Sequence, residues 1–222
     1  TYAKSMLVPF ITIPLNKSDI YENNRNISVF VAMSTSTKGL RARSAELRQV
    51  IENMLLNVSD SKVLTIVRNN YTSFRFAIDN LYKFMTSSNL CIVPPGDAPS
   101  SKRFYDAISY SCVPFMLADY FILPYEGVAV DYEKCMKQLP SKEVETLSST
   151  LNEDLKDSII RNLRNNLKDV KEKFTWNYRQ MPKAGQGLWT LTWALYDKIQ
   201  MLKPYENNEM TGYDDDPVHD WP

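Results

Sequence analysis

The sequence predicts an α/β fold, a doubly wound parallel sheet with C-terminal covering helices. Three observations predict it. Short apolar runs recur between residues 27 and 132 with little alternation, as in strands buried on both faces. Between them lie segments with apolar residues three and four apart, the βαβ pattern of a parallel sheet. After residue 140 only helical patterns remain.

The elements follow in order. "ISVFVAM" (27–33) reads as a strand. In "LRARSAELRQVIENMLL" (40–56), Leu47, Val50, Ile51, Met54 and Leu55 line one helical face. "KVLTIV" (62–67) is a strand, "SFRFAIDNLYKFMTS" (73–87) a helix and "LCIVP" (90–94) a strand. "SSKRFYDAISYS" (100–111) is a short helix, "CVPFML" (112–117) a strand and "GVAVDY" (127–132) a further strand. Leu155, Ile159, Leu163, Leu167, Val170 and Phe174 predict one long amphipathic helix. Leu188, Leu191, Leu195, Ile199 and Leu202 predict another. The expected organisation is an entry segment at 1–24, a ligand-binding domain at 25–203 and a polar acidic tail at 204–222. Pro9 and Pro14 confine the entry segment to an edge or linker.

Composition narrows the function. The 44% apolar and 23% charged content is that of a globular domain with a packed core. Lysine plus arginine equals aspartate plus glutamate at 26 each, which argues against a broad nucleic-acid or anionic-membrane surface. The longest apolar stretch, Met6–Leu15, is too short to span a bilayer, which takes about 20 residues. The chain opens at Thr1 without a signal-like segment and reads as a fragment, leaving room for an upstream anchor or domain. Cys91, Cys112 and Cys135 are too few for a disulfide scaffold and fit no zinc spacing. Sequons at Asn16, Asn26, Asn57 and Asn70 permit a secretory lumen without establishing one.

The chemistry concentrates where the 90–94 strand runs through "PPGDAPSS" into the next helix. Gly96 suits a tight turn with close ligand approach, and Ser100 and Ser101 are N-cap residues. A helix start offers open N–H groups and a positive dipole end, which suit phosphate. Arg103 in the first turn is a cation where cations are disfavoured, so an anion is expected opposite it. Arginine grips a diphosphate bidentately, and Asp106, three residues on, is placed to accept ribose hydroxyls. The plainer reading is a surface helix with a local Arg103–Asp106 pair. Neither GxGxxG nor GxxxxGK[ST] is present.

The segment "SNLCIVPPGDAPSSKRFYDAISYSCVPFMLADYFILPYEG" (88–127) resembles the signature of the exostosin family, glycosyltransferase family 47. That family runs Ser-x-Phe-Cys-Leu-x-Pro-x-Gly-Asp, then Ser-x-Arg-Phe/Leu-x-Asp/Glu-Ala-Ile, then Gly-Cys-Ile-Pro-Val and Leu-Pro-Phe-Glu. The pieces here are Cys91, Pro94, Gly96, Asp97, Ser101, Arg103, Asp106, Ala107, Cys112, Pro114, Leu123, Pro124 and Glu126. Weaker similarity in "LVPFITIP" and "NRNISVFVAMSTSTKGLRARSAELRQVI" extends it from residue 6 to about residue 200.

The resemblance implies the Rossmann-like, donor-binding half of a GT-B glycosyltransferase. Such enzymes move a sugar, with inversion, from a nucleoside diphosphate, usually UDP, to a glycan hydroxyl. It implies that Arg103 holds the diphosphate and Asp106 the ribose. Gly96, Ser100 and Ser101 would shape the phosphate end, Arg41 would add a second phosphate contact, and Glu126 would approach the sugar. Ala32 stands near the position of a family glycine after the first strand, and Ser111 replaces the glycine before Cys112. Cys91 and Cys112 lie at the starts of neighbouring strands, as a buried thiol pair or a disulfide, with buried thiols preferred.

Inverting transfer needs a base for the acceptor hydroxyl and positive groups at the departing diphosphate. The sole histidine, His219, sits in the tail, so the base is expected to be a carboxylate or to come from an N-terminal acceptor half. Asp214, Asp215 and Asp216 look like an Asp-x-Asp metal motif but follow the last helix, so metal-independent transfer is expected, with no cofactor beyond the UDP-sugar co-substrate. The partners implied are a nucleotide-sugar donor and a glycan or glycoprotein acceptor. The alternative is a non-catalytic glycan- or protein-binding module on the same fold. A hydrolase reading lacks a nucleophile elbow. A eukaryotic member would sit in the Golgi lumen behind an anchor outside this chain, and a viral or microbial one in the cytoplasm.

Overall fold

The structure is a computed structural model that describes residues 25–34, 45–66, 71–95, 101–119, 121, 123–174 and 186–206. Its strands are β1 (Ile27–Ser34), β2 (Ser61–Ile66), β3 (Ser88–Val93), β4 (Val113–Leu117) and β5 (Lys137–Leu139). They form one sheet in the order β2-β1-β3-β4-β5, with every neighbouring pair parallel. The helices are α1 (Ala45–Leu55), α2 (Tyr71–Thr86), α3 (Lys102–Ser109), α4 (Leu147–Asp154), α5 (Asp157–Lys173) and α6 (Gly187–Glu206).

The pleat explains why the strand sequences are apolar throughout. Val29, Val31 and Met33 of β1 meet Ile51 and Leu55 of α1 and Leu147 and Leu151 of α4. Their neighbours Phe30 and Ala32 face the other side, with Ala77, Leu81 and Met85 of α2. All five residues of β4 are buried, whereas the edge strand β2 exposes Lys62 and Thr65. A third cluster joins Phe104, Tyr105 and Ile108 of α3 to Leu167, Val170 and Phe174 on and beside α5. Burying each such large side chain contributes roughly 1.5–3 kcal/mol.

One side chain ties three elements together. Arg25 donates from Nη1 to the carbonyls of Met85 and Ser88 and from Nη2 to that of Tyr110. It thereby occupies carbonyls at the C-terminal ends of α2 and α3.

The structure corrects two expectations and trims a third. Residues 127–132 are not a strand. Tyr125 and Gly127 take φ values of 63° and 70°, so the chain turns. The N–H groups of Val128, Ala129 and Val130 all donate to the Tyr125 carbonyl, leaving one isolated bridge between Glu126 and Val130. The fifth strand is instead Lys137–Leu139.

The long helix expected from Leu155 to Phe174 is α5, Asp157–Lys173, with Phe174 as its C-cap and Leu155 as the C-cap of α4. Lys156, at φ −58° and ψ 130°, takes an extended conformation between α4 and α5. Asp154, in the last turn of α4, pairs with Lys137 of β5 at 2.9 Å. Finally, Cys91 and Cys112 form a disulfide rather than two thiols, with Cα atoms 5.7 Å apart. The register explains it, because Leu90 and Val113, each next to one of the cysteines, are partners across β3 and β4.

Helix α6 continues through Pro204 to Glu206. Trp189, Trp193 and Tyr196 on it are exposed.

Candidate functional site

The strand order creates a crevice. From β1 the chain passes to β2 on one side, and from β3 it passes to β4 on the other. In such sheets ligands bind beyond the carboxyl ends of the strands where the order reverses, here between β1 and β3. The chain leaving β3 leads directly to the start of α3. Arg41, in the segment between β1 and α1, and Gly96 and Ser100, between β3 and α3, lie outside the described residues. So do Asp97, the Asp214–Asp216 run and His219.

Ser101 is the N-cap of α3, in extended conformation, and its hydroxyl caps no backbone N–H. The first turn carries Lys102 and Arg103 and no acidic residue. Beneath them Asp106 is 1% exposed. Lys102 Nζ lies 2.5 Å from Asp106 Oδ1, and Arg103 Nη1 donates to Oδ2 at 2.8 Å. The cations themselves reach solvent, Lys102 at 46% and Arg103 at 27% side-chain exposure. Arg103 spends one of its five N–H donors on Asp106, and the structure gives it no other partner among the described residues.

Ser101, Arg103 and Asp106 are therefore together, as the sequence suggested. Both Asp106 oxygens meet cations of its own helix, Lys102 at Oδ1 and Arg103 at Oδ2. Lys102 is a functional candidate that the sequence reading passed over. Its signal was there, since positions four apart on a helix share a face.

The opposite face of α3 fixes the helix. Phe104 packs its ring 5.8 Å from Phe121 and 5.7 Å from Tyr132, and Tyr105 lies 5.7 Å from Phe174. Tyr132 donates its hydroxyl to the Pro124 carbonyl at 2.5 Å, which holds the 124–132 turn against the helix. Burial raises the Tyr105 hydroxyl well above the phenol range, with Tyr125 adding to it. Burial likewise pushes Tyr125 up to about 12 and the Cys135 thiol up to about 12. Burial also raises Tyr132, and the neighbouring Tyr105, Cys135, Glu126 and Tyr125 add to it. These groups stay protonated and serve packing.

Glu126 is exposed on the wall of an open cavity of about 520 Å³ formed by residues 126–133. At the far end of α3, Ser111 takes φ 54°, the left-handed conformation that glycine adopts freely. The glycine-to-serine exchange is thus a backbone matter as well as a packing one. Lys171 Nζ, 3.3 Å from Ser111 Oγ, lies over this turn.

The sheet order defines a doubly wound α/β domain, with Lys102 and Arg103 in the first turn of α3. Over residues 4–153 the chain matches the family described as the Exostosin GT47 domain. The chain belongs to that family of glycosyltransferases. Among curated relatives, it is 44% identical over 52 residues to "Probable arabinosyltransferase ARAD1" of Arabidopsis thaliana, covering 23% of this chain and 11% of that protein. It is 27% identical over 118 residues to "Probable glucuronosyltransferase GUT1" of Oryza sativa subsp. japonica, covering 53% and 28%. It is 30% identical over 83 residues to "Probable beta-1,4-xylosyltransferase IRX10" of Arabidopsis thaliana, covering 37% and 20%. The matches thus span a small part of each relative's length. Superposition on the solved structure titled "Crystal structure of GtfA/B complex" gives a TM-score of 0.47 at 9% identity, over 90% of this chain and 39% of that one. That likeness is loose, and the fold rests on the sheet itself. Among the described residues no helix is long and apolar enough to cross a membrane.

Proposed function

We propose that this chain is the donor-binding half of an inverting, UDP-sugar-dependent glycosyltransferase of the GT-B type. One observation carries the reading. Within the family match, a half-buried arginine that still reaches solvent stands at a helix start beside the sheet's switch point. A UDP diphosphate laid across the start of α3 meets open N–H groups, the positive dipole end and Arg103. Ser101 lies at the same helix start, and Gly96, Ser100 and Arg41 belong to the segments that follow β3 and β1. In transfer, these groups stabilise the diphosphate as it departs. Glu126, on its cavity wall, is the carboxylate assigned to approach the donor sugar. The base for the acceptor hydroxyl is a carboxylate or belongs to an acceptor-binding part of a longer protein, and transfer proceeds without a metal.

The Cys91–Cys112 bond suits an oxidising compartment and supports a secretory, Golgi-type lumen. The donor is UDP-linked, and the acceptor is a glycan or glycoprotein.

Calorimetric titration with UDP and GDP, with and without manganese, tests this. UDP should bind in preference to GDP, indifferent to metal. Arg103→Ala should weaken UDP about tenfold to a hundredfold, the worth of a charge-assisted hydrogen bond of roughly 1.5–3 kcal/mol. Unchanged UDP affinity in a folded Arg103→Ala protein would sink the proposal. Glycan binding with no nucleotide binding would favour a non-catalytic module.

A further inference from the structure

We infer that Asn57 is an N-glycosylation site, carrying an oligosaccharide at the edge of the sheet opposite the donor crevice. The inference rests on the secretory-lumen reading above and goes beyond it. Three observations carry it. The chain reads Asn57-Val58-Ser59, an acceptor sequon with no proline at its centre. Val58 is buried in the core, while Asn57 and Ser59 on either side of it are exposed. Neither the Asn57 carboxamide nor the Ser59 hydroxyl has a partner among the described residues.

The local backbone explains the presentation. Helix α1 closes in tight turns, with the N–H groups of Leu56, Asn57 and Val58 donating to the carbonyls of Asn53, Met54 and Leu55. Asp60 then takes φ 55° and turns the chain into β2, where Ser61 Oγ donates to the Leu55 carbonyl. The sequon thus sits on a loop anchored by Val58, with both of its polar residues in solvent. The loop lies ahead of β2, at the amino-terminal edge of a wholly parallel sheet. Ligands bind such sheets at the carboxyl ends, so a glycan here leaves the crevice open. Leu56, next to Asn57, is 81% exposed. The apolar C–H faces of the first sugars would cover it.

The sequon at Asn26 is placed differently. It runs into the central strand β1, where Ser28 is half-buried and its N–H donates to the Asp60 carbonyl. Folding therefore competes with transfer at Asn26 and leaves Asn57 free for it. Asn16 and Asn70 lie outside the described residues. The co-substrate is an oligosaccharide linked to a lipid pyrophosphate, used by the lumenal oligosaccharide transferase. The Asn57 amide nitrogen bonds to the anomeric carbon as the bond from that carbon to the pyrophosphate oxygen breaks. The lipid pyrophosphate leaves with the electron pair, and a base takes the amide proton.

The test uses the protein isolated from the cells that make it. Peptide:N-glycanase in heavy-oxygen water converts a glycosylated asparagine to a labelled aspartate, which peptide mass spectrometry locates. The label should appear at residue 57. Expressed in the same cells, Asn57→Gln and Ser59→Ala should each lose the gel-mobility step of one glycan. Ser59→Thr should keep it, because threonine also completes the sequon. An unlabelled Asn57 in protein whose Cys91–Cys112 bond is formed overturns the inference and leaves the lumenal reading standing. Mobility unchanged by both Asn57→Gln and Ser59→Ala overturns it equally. Cys91 and Cys112 recovered as free thiols, with no label at any sequon, removes the lumenal reading and this site with it.

Discussion

Helices α3 and α5 anchor in the same aromatic cluster but carry their charges in opposite order. Helix α5 opens with Asp157 and closes with Lys171 and Lys173 in its last turn. That order agrees with the dipole, each charge near its favoured end. Helix α3 opens with Lys102 and Arg103, has no acidic residue in its first turn and no basic residue in its last. It also ends on a serine in left-handed conformation. Phe104, Tyr105 and Ile108 nonetheless bury it as fully as Leu167 and Val170 bury α5. The difference teaches that packing and charge order are set independently on the two helices. Packing is kept on both helices, while the charge order agrees with the dipole on α5 and runs against it on α3.

The largest expected effect breaks the comparison by pH. The α3 side of the core contains Tyr105, Tyr125, Tyr132 and Cys135, all held protonated by burial. The start of α5 packs Ile160 and Leu163 among aliphatic residues instead. Unfolding returns the thiol and phenols to ordinary values of 9.0 and 10.0. Between those values and about 12 the native state holds protons that the unfolded state has released. Stability is therefore full below pH 9 and declines as pH rises from there toward 12. Urea midpoints measured from pH 8 upward should fall along that window, and the fall should flatten in Cys135→Ala and Tyr125→Phe. A midpoint constant through the window contradicts the burial of these groups.

Smaller effects come from exchanging charges. Asp157→Lys in α5 should cost about 0.3–1 kcal/mol of stability and leave UDP affinity alone. Ser101→Asp at the start of α3 should gain a similar amount from the dipole while weakening UDP about tenfold by placing a charge against its phosphates. Thermal unfolding paired with calorimetry reads both. Equal and purely structural responses from the two helices would mean that α3 is an ordinary covering helix.

The sheet was legible in the sequence because parallel strands buried on both faces leave uninterrupted apolar runs, as in β1 and β4. Strand β5 was not, since only Leu139 of its three residues is buried at that edge. The run at 127–132 misled for the converse reason. It is apolar enough for a strand, but Tyr125 and Gly127 turn it, and a left-handed tyrosine leaves no mark in composition. Leu155 was read into α5 because it keeps helical spacing with Ile159 across the extended Lys156. At the site, Ser101, Arg103 and Asp106 were visible as a group. Lys102 was not singled out, because the family pattern leaves the residue before the arginine open. The pairing of both cations with one carboxylate emerges only when the helix is folded. The disulfide likewise needed the β3–β4 register.

Arg25 has a consequence for the order of folding. The carbonyls of Met85, Ser88 and Tyr110 that it holds lie 60, 63 and 85 residues away along the chain. Those carbonyls belong to α2, β3 and the end of α3, so the guanidinium contacts are expected to close late, after the transition state. Interactions of that kind leave the folding rate alone and act on the rate of opening. In stopped-flow kinetics, Arg25→Met should speed unfolding and scarcely change refolding. Arg25 would then bear on how long the packed sheet and helices stay together, more than on how fast they assemble.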